Sequence, residues 1–139
     1  DIGGRIWVAP RRGCVNAYMP VYFGVTAFPQ GMFMDTPEIA YEMHFRRDDS
    51  IYDRSKPMLW WNFVSVAEFT DEDFRNRYPE RVKIKNNLQQ NYMKMAGRLE
   101  KDYLPVYKKQ PQKAESLIND FTRQVIEMAV TENNKYLKR

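Results

Sequence analysis

Two side chains in this sequence could in principle form a nucleophile and its base: Cys14, the sole thiol, and His44, the sole imidazole. A thiol becomes a useful nucleophile when a neighbouring base takes its proton and a third group orients that base. One residue of each type, well separated in the chain, carries no such geometry. The plain reading is a small strand residue and a surface histidine. Asp48, Asp49 and Asp53 could offer oxygens to a cation. They lack the glycine and the closing glutamate of a calcium loop, and a solvated loop explains them. Trp60-Trp61 could stack on a ligand, but adjacent helical residues point about 100° apart, so at most one of them faces a given site. Core packing accounts for the pair. There is no glycine-rich phosphate loop, no HExxH and no GxSxG. Residue types and spacing alone define no active site.

The elements that would position these residues are easier to read. Arg5-Ile6-Trp7-Val8-Ala9 reads as a short strand ended by Pro10. From Gly13 to Met32, Val15, Ala17, Met19 and Val21 alternate with Asn16, Tyr18 and Tyr22, which predicts a second strand. Pro20 cannot donate a ladder hydrogen bond, so that point must be an edge, a bulge or a strand start. Gly24 breaks the run, and Pro29-Gln30-Gly31 closes it with turn chemistry. Arg11-Arg12-Gly13 is then the compact loop of a β-hairpin. Two strands alone are marginal in water, so the pair must join a larger sheet or pack on helices.

Residues 33–56 read as irregular. Thr36-Pro37-Glu38 suits a short helix start, whereas Ile39, Tyr41, Met43 and Phe45 alternate as in a strand; the first reading is preferred, with a polar loop over Arg46–Ser50. From Ser55 and Pro57 a helix is predicted whose residues from Met58 to Phe69 are apolar on nearly every side, so it must be buried all round. Burying three of its large side chains contributes roughly 5–9 kcal/mol before entropy is subtracted. Thr70-Asp71-Glu72-Asp73 resembles a capping box, opening a helix that Pro79 should stop near Tyr78. The next helix, from Pro79, carries Ile84, Leu88, Tyr92, Met95, Leu99, Tyr103 and Val106 as an apolar stripe, weakened at Gly97 and ended by Pro105. A last helix after Gln110-Pro111 shows Ala114, Leu117, Phe121, Val125 and Met128 on one face. The two long helices are expected to pair antiparallel.

Composition sets the outer bounds. The 139 residues suit one domain, and a hydrophobic share of 43% is too high for intrinsic disorder. No apolar run approaches the ~20 residues of a transmembrane helix, and no signal-peptide pattern opens the chain. One cysteine leaves no partner for an internal disulfide and no cysteine-based zinc site. A start at Asp1 reads as a processed chain or a piece of a longer one. The net charge of +4 is uneven, with 7 basic and 8 acidic residues through Thr70 and 15 and 10 beyond it. A basic helical half could bind nucleic acid or an acidic protein, and that is the alternative reading. The ten interleaved acids favour a solvated Lys/Glu surface and no nucleic acid.

The succession Arg5-Ile6-Trp7-Val8-Ala9-Pro10, Ala17-Tyr18-Met19-Pro20-Val21-Tyr22-Phe23-Gly24-Val25 and Phe28-Pro29 resembles the C-terminal part of the cysteine dipeptidases related to dipeptidase A. Those enzymes are relatives of secernin among the N-terminal-nucleophile hydrolases. Their W-x-A-P strand, Y-x-P-x-Y-x-G segment and aromatic helix are matched over residues 4–31 and 56–69, the last by Lys56-Pro57-Met58-Leu59-Trp60-Trp61-Asn62-Phe63-Val64. From Thr70 onward only helical character matches. The resemblance implies an α+β fold, the C-terminal portion of an αββα sandwich. It implies dipeptide hydrolysis by a cysteine made N-terminal when a propeptide is removed.

Cys14, with thirteen residues before it and no free amine, cannot be that nucleophile. No catalytic, cofactor-binding or metal-ligating residue is carried over. Arg11 and Arg12 could approach the site of the whole enzyme, but the family pattern assigns neither a role. The resulting expectation is the C-terminal part of a dipeptidase, inactive by itself, with no cofactor. Its partners would be the N-terminal catalytic part of the same protein, the dipeptide substrate of the full enzyme, and a second copy covering an apolar face or open edge. A regulatory subunit docking on a separately encoded catalytic chain is a third possibility.

Overall fold

The structure, a computed structural model, describes residues 4–29, 31–32 and 59–139. Two short strands, β1 (Arg5–Val8) and β2 (Met19–Tyr22), pair antiparallel. Among the described residues three helices follow: α1 (Leu59–Glu72), α2 (Phe74–Tyr103) and α3 (Pro111–Tyr136). The fold is α+β, a two-stranded hairpin packed on a helical layer.

The hairpin is where the sequence predicts it, but β2 is much shorter than the alternation suggests. Residues 9–18 form a ten-residue connection, not a tight Arg11-Arg12-Gly13 loop. Within it the Val15 and Asn16 amides both donate to the Arg12 carbonyl (3.2 and 2.9 Å), curling the chain where a strand would run straight. Pro20 sits second in β2, at a strand start on a sheet edge as proline requires. After β2 the chain turns at Gly24, whose φ of +100° suits glycine. Thr26 and Ala27 then dock on α3, their amides donating to Asn119 Oδ1 (3.0 and 3.1 Å).

The helix boundaries correct the reading around Thr70 and Pro79. Thr70 is no cap: it is buried inside α1, and its hydroxyl donates to the Val66 carbonyl four residues back (2.6 Å). The break falls at Asp73, and α2 runs through Pro79 without stopping. Proline's missing N–H removes one bond in the second turn. Tertiary anchors hold that turn in place. The Arg77 guanidinium donates to the Phe69 carbonyl (2.5 Å) and Glu72 (2.9 Å), lying 3.6 Å over the Phe69 ring. The Asp73 carbonyl accepts the Asn76 and Arg77 amides. The predicted helix start at Ser55 and Pro57, and everything expected of residues 33–56, lie outside the described residues. In α1, Phe63, Val64, Val66 and Ala67 are buried and Trp60 and Trp61 half-buried.

α2 and α3 pair antiparallel. Arg81 near the start of α2 reaches Asn133 near the end of α3 (2.8 Å), and the Tyr92 hydroxyl donates to the Val125 carbonyl at mid-length (3.2 Å). Leu88, Tyr92 and Leu99 meet Phe121, Val125 and Ile126 in the core, with Met19 and Tyr22 of the hairpin packed on top. Among the described residues, no helix is long and apolar enough to cross a membrane.

Candidate functional site

The connection from β1 to β2 carries Cys14, and one buried cation fixes its shape. Arg81 is 1% exposed. Its Nε donates to the Val15 carbonyl (2.6 Å), and its Nη2 donates to the side-chain oxygens of Asn16 (3.2 Å) and Asn133 (2.8 Å). The guanidinium lies 5.3 Å from the Tyr136 ring centre. Among the described residues no carboxylate pairs with it, and burial pulls its pKa down to about 10. Asn16 extends the network, donating to the carbonyls of Pro10 (2.9 Å) and Phe63 (3.3 Å). One arginine thus ties the connection to α2 and α3, and one asparagine ties it to α1.

Cys14 is exposed, and no base is bonded to it among the described residues. Its neighbour Arg12 pairs with Asp71 and also donates to the Ala67 carbonyl (3.3 Å). The Asp71 hydrogen bond holds the Arg12 guanidinium above its ordinary pKa. His44, Asp48, Asp49 and Asp53 lie outside the described residues. Among the described residues, no group of three acidic, histidine or cysteine side chains could hold a metal ion.

The hairpin itself presents the better candidate for binding. By its register, Arg5, Trp7, Pro20 and Tyr22 lie on one face and Ile6, Val8, Met19 and Val21 on the other. On the first face Arg5 donates to Glu100 (2.5 Å) and to the Tyr22 hydroxyl (3.1 Å), and Tyr22 donates to the same carboxylate (2.7 Å). Burial, then the bond to Glu100, raises the Tyr22 pKa. The second face borders an apolar groove of about 580 Å³, closed on its far side by Trp60 of α1 and by Val125 and Ile126 of α3. Arg11, at a φ of +65°, stands on its rim. Ile6 and Val8 remain 47% and 40% exposed. Only Trp60 of the tryptophan pair lines the groove, as their angular separation requires.

No family model, curated protein or solved structure matches this chain. The site therefore rests on its own geometry, an apolar groove beside a half-exposed hairpin face. Sequence reasoning passed over Arg81 as one more charge in a basic helix. The usable signal was its register: Arg81 stands seven residues before Leu88, on the same stripe as Tyr92 and Leu99, where a charged side chain must be buried. The groove had no comparable signal, since its walls come from five separate stretches of chain.

Proposed function

We propose that this chain is the C-terminal part of a cysteine dipeptidase of the N-terminal-nucleophile class. The carrying observation is that, among the described residues, the sheet has only two strands. Two four-residue strands present Ile6 and Val8 to solvent beside an apolar groove, whereas a stable sheet has further strands or a cover over such a face. That is the geometry expected of one portion of a sandwich whose other portion completes the core. The strand, segment and aromatic-helix motifs of residues 4–31 and 56–69 support the same assignment.

In this reading the chemistry belongs to a cysteine at the start of the mature protein. Its own α-amine, which titrates near pH 8, takes the thiol proton. The thiolate attacks the dipeptide carbonyl, hydrogen-bond donors hold the oxyanion, and the leaving amine departs with the proton. Water then releases the acyl group and restores the thiol. The 139-residue chain completes the core and is inactive alone. The basic-module alternative gains little, because Arg123 pairs with Asp120 and Glu127, and Lys135 pairs with Glu132, within α3. It would be supported by DNA affinity that falls steeply with salt.

The test is N-terminal sequencing of the mature whole protein together with a dipeptide hydrolysis assay. A cysteine at position one and hydrolysis by the whole protein, with none by the 139-residue chain, support the assignment. Hydrolysis by the 139-residue chain, or a mature start without cysteine, refutes it.

A further inference from the structure

The hydrogen-bond phase of the hairpin decides which of its edges can accept another strand. The Phe23 amide donates to the Gly4 carbonyl (2.8 Å). In this register Gly4/Phe23, Ile6/Val21 and Val8/Met19 are therefore the pairs that exchange ladder bonds. Arg5/Tyr22 and Trp7/Pro20 are the intervening pairs, and their main-chain groups point outward.

The two outward rows differ. On β2, Pro20 has no N–H, and the Tyr22 carbonyl already accepts the Val25 amide (3.4 Å). Just before the strand, the Tyr18 amide is taken by Gln89 Oε1 (2.9 Å). That edge is blunted. On β1, the N–H and C=O of Arg5 and of Trp7 all face outward, and none of the four is bonded to another described residue. The flanking Ile6 and Val8 are exposed, so no described element covers that side.

We infer that the outer edge of β1 is the seam at which the sheet continues, and that β2 is its last strand. The occupant is a strand of the same polypeptide, supplied by the part that carries the nucleophile and apolar on its groove-facing side. Naming that part as the source rests on the dipeptidase reading; the polarity of the hairpin does not. Area decides between this occupant and a second copy. A four-residue edge is about 13 Å long, and pairing two copies along it would bury a few hundred Å², well below the ~1,200 Å² of a specific interface between separate chains. A strand belonging to the same polypeptide meets no such threshold, because its docking is intramolecular.

Amide hydrogen exchange tests the seam directly. In the 139-residue chain, Ile6 and Val8 should be protected by their bonds to β2, while Arg5 and Trp7 exchange at rates near those of open chain. In the whole protein Arg5 and Trp7 should slow by about tenfold or more, joining their neighbours. Equal, fast exchange of Arg5 and Trp7 in both proteins would overturn the seam. Protection of those two amides in the 139-residue chain would overturn the choice of occupant, in favour of a second copy where it grows with concentration and of a segment of this chain where it does not. Dipeptide hydrolysis, measured on the same whole protein, separates the two claims. Slowed exchange without hydrolysis removes the dipeptidase reading and leaves the seam; hydrolysis with unchanged exchange does the reverse.

Discussion

Replacing Arg81 by methionine removes the buried cation while keeping a long side chain in its place. Three acceptors lose their donor: the Val15 carbonyl and the amide oxygens of Asn16 and Asn133. Each buried acceptor left unpaired costs about 1–3 kcal/mol. Against this, burial of the charge, which pulls the Arg81 pKa down to about 10, carries a penalty on the order of 3 kcal/mol that methionine does not. The net expectation is a loss of about 3 kcal/mol, or roughly 10 °C in Tm for a chain of this size. Urea unfolding reads it as a lower midpoint at unchanged slope. Amide exchange should show Val15 and Asn16 opening first, since Arg81 is what joins them to α2 and α3. A variant as stable as the parent, or more stable, would refute the reasoning. It would mean that the buried charge costs as much as its hydrogen bonds contribute.

Other perturbations follow from the same contacts. Gly97 is exposed inside α2 and a Cβ there meets nothing within 4 Å, so Gly97→Ala should stabilise by about 0.8–1 kcal/mol in thermal unfolding; a neutral or harmful effect contradicts the open helix surface. Burial raises the Tyr92 pKa, and burial with the Glu100 bond raises that of Tyr22, so the folded chain holds these protons more tightly than the unfolded one. Their contribution to stability is complete below about pH 10 and is lost as pH rises beyond it, partly offset by Arg81, whose lowered pKa acts in the opposite sense. Phenolate absorbance at 295 nm should therefore show Tyr22 and Tyr92 ionising at higher pH in the folded chain than in the unfolded one; loss of that difference would refute it. Cys14 should react in the native chain as an open thiol, and Cys14→Ala should change stability by less than about 0.5 kcal/mol. A protected thiol would show that something covers it.

What the sequence made legible was whatever depended on local periodicity. The stripes Leu88-Tyr92-Leu99 and Phe121-Val125 marked the two long helices and their mutual faces, and the spacing of Trp7 and Tyr22 around turn residues marked a hairpin. The errors came where distant contacts overrode local preference. Val15-Asn16-Ala17 alternates like a strand, yet the Val15 carbonyl is taken by Arg81 and the Asn16 side chain by Arg81, Pro10 and Phe63, leaving a curled connection. Thr70 has the chemistry of a cap and is spent on the Val66 carbonyl inside α1, with the Tyr136 hydroxyl 3.0 Å away. Pro79 should have stopped a helix, but the turn before it is pinned by Arg77. The groove beside the hairpin was invisible in advance, because Ile6, Trp60 and Ile126 meet only in three dimensions.

The central claim, that these residues complete the core of an enzyme whose nucleophile lies elsewhere in the protein, is tested most directly by dipeptide turnover in two variants of the whole protein. Replacing the cysteine exposed by propeptide removal with alanine should abolish hydrolysis, and Cys14→Ala should leave it at the parent rate. Turnover lost in Cys14→Ala, or surviving the terminal replacement, would contradict the account.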